Sequence, residues 1–236
     1  MDINMKRVGA LIKRDWILYK RNYLVGIIIL IAMCMGLMFL VSDEANPQMP
    51  TDASEIIFFT MLFVVGTIHT LRSFREFRNQ TQSVAYLSIP ASHMEKFLSR
   101  WIITLPLFVI VCSVVFVMSY PLFSFFAEKI WGVVFLMFNS FRWTYFIEIL
   151  FSYVFFHSVF LFFAICFNRN TILKSIIVFI LLWLTFALFS YYINNGSVQA
   201  DDSFKAMLTS NYRYLMFLAV PIFWFLSYNR LKAKTA

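Results

Sequence analysis

Long apolar segments separated by short polar ones account for most of this chain of 236 residues. A helix of about 20 residues crosses the roughly 30 Å hydrocarbon layer of a bilayer, and six segments approach or exceed that length. They are residues 22–42, 56–73, 101–126, 143–167, 171–193 and 211–228. The pattern predicts an all-α, polytopic membrane protein in which six transmembrane helices form a single transmembrane domain.

The overall composition indicates that lipid is the main solvent of the chain. Hydrophobic residues make up 61% and charged residues 14%, and the mean hydropathy is +0.76. A soluble domain is about half apolar and a quarter charged, so the composition excludes a soluble globular protein. The net charge of +8 lies beside the apolar segments rather than on one soluble face, and we expect no binding of nucleic acid.

Basic residues are concentrated in loops that six spans would place on one side of the membrane. Sixteen of the 20 Lys and Arg residues lie in the N-terminal segment, in 72–100, in 168–174 and in the C-terminal segment. Loops rich in Lys and Arg stay in the cytoplasm. The pattern therefore predicts a multi-pass protein of the cell (inner or plasma) membrane with both termini in the cytoplasm.

One apolar run does not fit the six-span scheme. Residues 130–141 are too few for a full crossing and have charged neighbours on both sides. A span there would also reverse the orientation of everything after it. We expect residues 121–142 to form an extracytoplasmic segment that re-enters the membrane or lies on its outer surface.

The first 21 residues have an amphipathic pattern. At 100° per residue, six basic residues fall in one sector and an apolar stripe falls opposite, with Asp15 and Ile17 as exceptions. We expect 1–21 to form a helix on the cytoplasmic headgroups before the chain turns into the first span. The alternative is a solvated, charged leader that only sets orientation. The residues predicted to lie at the membrane surface are Lys6, Arg7, Lys13, Arg14, Trp16, Lys20 and Arg21.

The longest polar stretch lies between the second and third apolar segments. Residues 74–87 carry no Gly or Pro and can form a helix, whereas Pro90 disfavours helix at Ile89. Ser92 and Glu95 then have the spacing of a capping box that starts a new helix. A connection between antiparallel helices needs only a few residues, so this shaped loop suggests a docking surface. The alternative is a helical overhang with no partner.

The sequence AYLSIPASHMEKFLSRW, residues 85–101, resembles the cytoplasmic loop of type-2 ABC transporter permeases, in particular the small bacterial ones. The matching residues are Tyr86, Leu87, Pro90, Ala91, Ser92, Glu95, Lys96, Phe97 and Leu98. The plan of an amphipathic N-terminal helix, six spans and this loop is also similar to that family. The family usually has re-entrant helices between spans five and six, where this chain has only the short segment 194–210.

This resemblance implies the permease subunit of an ATP-driven ABC transporter, an exporter in which two permease copies or paralogues form the translocation pathway. The cytoplasmic coupling loop, 74–98, would insert into a groove on a separate ATPase subunit that binds ATP and Mg²⁺. The residues implied in that contact are Glu76, Tyr86, Leu87, Pro90, Ser92, Glu95, Lys96 and Phe97. The alternative is a non-transport membrane scaffold or anchor that recruits a soluble partner.

The chain itself carries no recognisable catalytic motif. It has no G-x-x-x-x-G-K-[ST] phosphate loop and no G-x-S-x-G nucleophile motif, so we expect no enzyme activity and no cofactor in this chain. The cysteines lie in apolar runs and the histidines are far apart, so no metal site is predicted. His69 and His157 fall inside predicted spans, where ionisable groups are costly, and are candidate intramembrane polar residues.

Overall fold

The computed structural model describes residues 3–42, 51–78, 80–132, 143–167, 170–181, 184 and 202–234. Every regular element within these ranges is a helix. The α-helices are α1 (Met5–Val41), α2 (Thr51–Leu71), α3 (Gln80–Leu87), α4 (His93–Ile102), α5 (Phe108–Trp131), α6 (Trp143–Cys166), α7 (Thr171–Leu181) and α8 (Asp202–Ala233). A 3-10 turn (Arg75–Arg78) precedes α3, and a π-helical segment (Ile103–Leu107) joins α4 to α5.

Four helices within the described residues are long and apolar enough to cross a membrane. They are Met5–Val41, Ser54–Leu71, His93–Ile130 and Phe146–Cys166. The prediction of a multi-pass helical membrane protein is thereby confirmed. The predicted span 171–193 begins with the apolar helix α7 and continues into residues outside the described ranges, and 211–228 lies within α8. The count of six spans therefore stays a prediction.

The chain divides into two compact units, each with its own aromatic interior. One unit comprises Met1–His69 and Pro90–Val154, and the other comprises Thr70–Ile89 and Phe155–Ala236. In the first, Phe58 is buried against Phe116 and Phe146, with ring centroids 5.3 and 5.1 Å apart. In the second, the rings of Phe160 and Phe179 lie 5.3 Å apart. Aromatic pairs at these distances add to the stability that burial of their surface provides.

The first helix differs from the prediction of a surface helix followed by a turn into the first span. α1 runs without interruption through both segments for 37 residues, which corresponds to about 55 Å at 1.5 Å per residue. The chain between the two segments contains no Pro and no paired Gly, the usual causes of a sharp kink. A helix of this length exceeds the roughly 30 Å hydrocarbon layer, so its basic N-terminal part extends beyond that layer.

The third span continues through a proline because the helix widens locally. Pro106 has no amide hydrogen, and its ring collides with an earlier carbonyl in a regular helix. Within the π-helical segment, Thr104 Oγ1 donates to the Arg100 carbonyl oxygen at 2.8 Å. The Tyr153 hydroxyl donates to the Thr104 carbonyl oxygen at 3.4 Å. Neighbouring side chains therefore satisfy backbone oxygens around the proline, as they commonly do in membrane helices.

The end of α5 lies beyond the predicted end of the third span. The sequence predicts that this span stops at residue 126, but α5 continues to Trp131 and ends at Gly132, whose φ is 69°. Glycine adopts this left-handed conformation at helix ends without a steric penalty. Residues 121–131 of the predicted re-entrant or interfacial segment are therefore regular helix, and residues 133–142 lie outside the described ranges.

A glycine allows three elements of the first unit to meet closely. A Cβ placed on Gly66 of α2 would lie 2.6 Å from Tyr153 Oη and 2.9 Å from Phe108 Cε1. Both rings are buried, and their centroids lie 6.2 Å apart. Small residues at such crossings let membrane helices approach closely, so Gly66 fixes the spacing of α2 against α5 and α6.

Candidate functional site

The capping box at the start of α4 is present, which confirms the prediction from the spacing of Ser92 and Glu95. The Glu95 amide donates to Ser92 Oγ at 3.2 Å, and the Ser92 amide donates to Glu95 Oε2 at 2.8 Å. The other carboxylate oxygen, Oε1, accepts a hydrogen bond from the Asn4 amide at 3.0 Å. The carboxylate thus serves two chain segments and links the beginning of α1 to the beginning of α4.

A buried ion pair joins the same two helices further along. Asp15 of α1 is 1% exposed and Arg100 of α4 is 3% exposed. Asp15 Oδ2 lies 2.9 Å from Arg100 Nη1, and Asp15 Oδ1 accepts from Arg14 Nη2 at 2.9 Å. We call this contact region the α1–α4 seam, defined by Asn4, Asp15, Glu95 and Arg100. Charges that are removed from water need such pairing because their desolvation is costly.

Two ionisable groups of α4 at the seam have shifted pKa values. Both lie before the apolar stretch that starts at Trp101. Hydrogen bonds from the amides of Asn4 and Ser92 hold the pKa of Glu95 below its usual range. Burial lowers the pKa of Lys96, and the nearby positive charge of Arg14 adds to this effect. The seam therefore favours the ionised form of Glu95 and disfavours the protonated, charged form of Lys96.

Replacing Glu95 by Gln should make stability less dependent on pH. Because the folded-state pKa of Glu95 is depressed, its contribution is present above the unfolded-state pKa and is lost as pH falls through the folded-state pKa. We expect Glu95→Gln to lower Tm relative to the parent at pH 7, with the two values converging in acid. Thermal unfolding in detergent, measured at a series of pH values from pH 7 into acid, gives the effect. The exposed Glu128 provides the control as Glu128→Gln, and a constant Tm difference at every pH would contradict the prediction.

In the second unit, the residues before and within α3 form a compact aromatic cluster. The ring of Phe77 stacks on Phe74 with centroids 5.9 Å apart and meets Tyr86 edge-on at 5.6 Å. Lys234 Nζ lies 5.1 Å from the centroid of Phe77, a position that gives a cation–π attraction. Phe74, Phe77 and Tyr86 are buried, and the cluster therefore anchors the inner face of α3.

Most of the residues expected to contact a partner are buried in this chain. The buried members of that set are Glu76, Tyr86, Glu95, Lys96 and Phe97. Ser92 is half-buried and serves as the helix cap, and Pro90 is exposed. The side chain of Leu87 lies outside what the structure describes. Tyr86 is buried because α3 packs its aromatic edge on its own chain, and the contact of these residues with a partner stays a prediction.

The outward face of α3 consists of small and polar side chains around one apolar residue. Val84 is 63% exposed. The other exposed side chains on this helix and just after it are Thr81, Gln82, Ala85 and Ser88. Thr81, Val84, Ala85 and Ser88 follow the i, i+3, i+4, i+7 spacing of one helical face. We call the surface formed by these four residues the α3 outer face.

The residues expected at the membrane surface largely have the exposure that this role needs. The exposed ones are Lys6, Arg7, Lys13, Trp16, Lys20 and Arg21. Arg14 differs because it is partly buried and paired with Asp15. Of the two intramembrane candidates, His157 is buried, and His69 is half-buried between the rings of Tyr23 and Phe108.

The sequence pattern did not reveal the pairing of Asp15 with Arg100. Asp15 was an exception to the amphipathic pattern, and this exception was the available signal. A single acidic residue beside an apolar stripe is costly unless a base neutralises it. Arg100 stands one residue before the apolar stretch that starts at Trp101. Its charge would also be costly there without an acidic residue to neutralise it. Sequence alone did not show that these two residues, 85 positions apart, would meet.

The described helices define a multi-pass helical membrane protein. Comparisons of the chain with protein-family models, with curated proteins and with solved structures found no match. Among the described residues, no group of three or more His, Cys, Asp or Glu side chains could hold a metal ion. Functional inference therefore depends on the chain's own residues.

Proposed function

We propose that this chain is the permease subunit of an ATP-driven transporter, with six spans and both termini in the cytoplasm. Two such subunits form the translocation pathway and work with separate cytoplasmic ATPase chains as an exporter. The charge pattern supports the orientation, because 16 of the 20 Lys and Arg residues fall on one side of a six-span arrangement. The resemblance of residues 85–101 to the permease coupling loop supports the choice of partner.

The observation that carries the proposal is the α3 outer face. α3 is held on its inner side by the contact between its own Tyr86 and Phe77. On its outer side Val84 is 63% exposed. A polar face with an apolar residue at its centre suits a groove on a soluble protein, since buried apolar anchors at the middle of an interface carry much of the binding energy. The docking residues are therefore those of the α3 outer face.

Under this proposal, the buried residues of the loop have a positioning role. The contact of Tyr86 with Phe77 holds α3 on its inner side, and Glu76 is buried in the 3-10 turn before it. Ser92 and Glu95 fix the start of α4 through the capping box. In the chain, α3 follows α2 through the 3-10 turn and precedes α4 by five residues. Closure of the ATPase chains around ATP would move α3, and these two connections would transmit the movement to the second and third spans.

The decisive test is to purify the tagged chain from its native membrane in mild detergent. Mass spectrometry should identify a co-purifying chain with a phosphate-binding G-x-x-x-x-G-K-[ST] motif, and the eluate should hydrolyse ATP. Val84→Asp places a charge at the centre of the α3 outer face. We expect this variant to reduce the co-purifying ATPase at least tenfold, which corresponds to about 1.4 kcal/mol of binding energy.

The matched control is Ile3→Asp, which adds the same charge at an exposed apolar residue of the other unit. It should leave the co-purifying ATPase unchanged. A parent eluate without any ATPase would overturn the transporter proposal, and a co-purifying chain without the motif would favour a scaffold that recruits a soluble protein. Equal ATPase recovery with Val84→Asp and with the parent would contradict docking at the α3 outer face.

A further inference from the structure

A groove in the first unit lies between α1, α2 and the start of the third span. Its volume is about 140 Å³. Apolar residues dominate its wall, and it opens on one side. Its lining residues include Ile12, Trp16, Tyr23, Gly26, Leu30 and His69. We call this feature the α1 groove.

Aromatic rings form one continuous side of the α1 groove. Trp16 stacks on Tyr23 with centroids 5.7 Å apart and planes 9° from parallel. Tyr23 lies 6.0 Å from the His69 ring, which in turn stacks on Phe108 at 5.3 Å. The planes of Tyr23 and His69 are tilted by 59°, so the aromatic wall bends between these two rings. Trp and Tyr are the side chains enriched where a bilayer meets water.

The α1 groove runs across the boundary between the predicted amphipathic segment and the predicted first span. Its lining on α1 runs from Ile12 to Leu30, which corresponds to about 27 Å along the helix. The first part of that distance belongs to the basic amphipathic segment, and the second part belongs to the first span. An occupant of this groove therefore needs an apolar portion that continues into a polar one.

The polar end of the α1 groove carries positive charge. Lys13 and Lys20 lie one turn before and one turn after Trp16, on the same side of α1, and both are exposed. Asp15 is the one acidic residue in α1, and it is buried in its pair with Arg100. The rim beside Trp16 is therefore suited to an anion, and lysine is a common ligand of phosphate.

We propose that the α1 groove binds an anionic phospholipid, with one acyl chain along its apolar wall and the phosphate between Lys13 and Lys20. This inference does not depend on the proposed transport function, since it uses only the first unit and its charges. The lipid would act as a bound ligand of the protein, distinct from the surrounding lipid by its required negative charge and by its place against Trp16.

Gly26 provides a way to block the groove without disturbing the protein. It lines the groove, and a Cβ at this position meets no atom within 4 Å. Leucine at position 26 would therefore fill space that the acyl chain needs. A Cβ on Gly36 also meets no atom within 4 Å, and Gly36 is not part of the groove lining. Gly36→Leu is thus the matched control on the same helix.

The test uses the full chain, purified in detergent and titrated with phosphatidylglycerol or phosphatidylcholine of equal chain length, with native mass spectrometry as the readout. We expect the parent to retain phosphatidylglycerol at least tenfold better than phosphatidylcholine, and Gly36→Leu to do the same. Gly26→Leu should lose the bound lipid while its Tm stays within a few degrees of the parent. The double variant Lys13→Gln/Lys20→Gln should bind both lipids equally.

Two results would overturn the inference. One is equal retention of the two lipids by the parent, which would mean that only surrounding lipid is bound. The other is retention of phosphatidylglycerol by Gly26→Leu at the level of Gly36→Leu, which would place the lipid elsewhere. If Gly26→Leu fails to fold, the double lysine variant decides alone, because both lysines are exposed and their replacement leaves the interior unchanged.

Discussion

Replacing Asp15 by Leu is expected to lower the free energy of unfolding by about 3 to 5 kcal/mol, the usual cost of removing one partner of a buried ion pair. The substitution leaves the buried Arg100 guanidinium without the carboxylate that lies 2.9 Å away. Arg14 shares that carboxylate, but its side chain is 29% exposed and can turn towards water. Unfolding in mixed micelles at increasing concentrations of a denaturing detergent measures the loss.

The double variant Asp15→Leu/Arg100→Met separates the cost of a stranded charge from the cost of lost packing. Replacing both partners of a buried pair by apolar residues is often neutral or stabilising, so we expect this variant to lie within about 1 kcal/mol of the parent. Arg21→Met removes an exposed charge of the same helix and should change stability by no more than about 0.5 kcal/mol. Equal losses for the single and double variants would show that the ion pair itself is not responsible.

The second large effect is expected at Gly66. A methyl group there would lie 2.6 Å from Tyr153 Oη and 2.7 Å from Tyr153 Cε2, so a buried ring must move in an interior that has little spare room. Overpacking of this kind typically costs about 1 to 3 kcal/mol. Gly66→Ala should lose that amount in the same unfolding measurement, although alanine is intrinsically the better helix former.

Gly36→Ala is the control for this substitution because a Cβ at Gly36 meets nothing within 4 Å. It should leave stability unchanged or raise it slightly. Adding Tyr153→Phe to Gly66→Ala removes the closest atom and should recover part of the loss. Equal stability of Gly66→Ala and Gly36→Ala would contradict the close crossing of α2 with α6.

The sequence could predict the membrane helices, from the length of the apolar segments, and the start of α4, from its capping residues. The apolar segments 56–73 and 143–167 correspond closely to described helices, and 22–42 forms the second part of the longer helix α1, since about 20 apolar residues in a row leave few alternatives to a membrane helix. The capping box at Ser92 was also predictable, because it depends on two side chains only three residues apart.

Features that depend on contacts distant in sequence could not be predicted. The pairing of Asp15 with Arg100 joins residues 85 positions apart, and the burial of Lys96 depends on the packing of α4 against α1. Which of the loop residues face inwards depends on such contacts, and the docking role that the resemblance implies for them stays a prediction. The continuity of α1, by contrast, could have been predicted locally, because the chain between its two segments contains no Pro and no paired Gly.

The seam between α1 and α4 also imposes an order on biosynthesis. Asp15 leaves the ribosome 85 residues ahead of Arg100, so during most of that interval Arg14 is the neighbouring base available to neutralise the carboxylate. The ion pair with Arg100 and the hydrogen bond from Asn4 to Glu95 can form only after α4 has been synthesised. The N-terminal part of α1 is therefore among the first segments to be made and among the later ones to reach its final contacts.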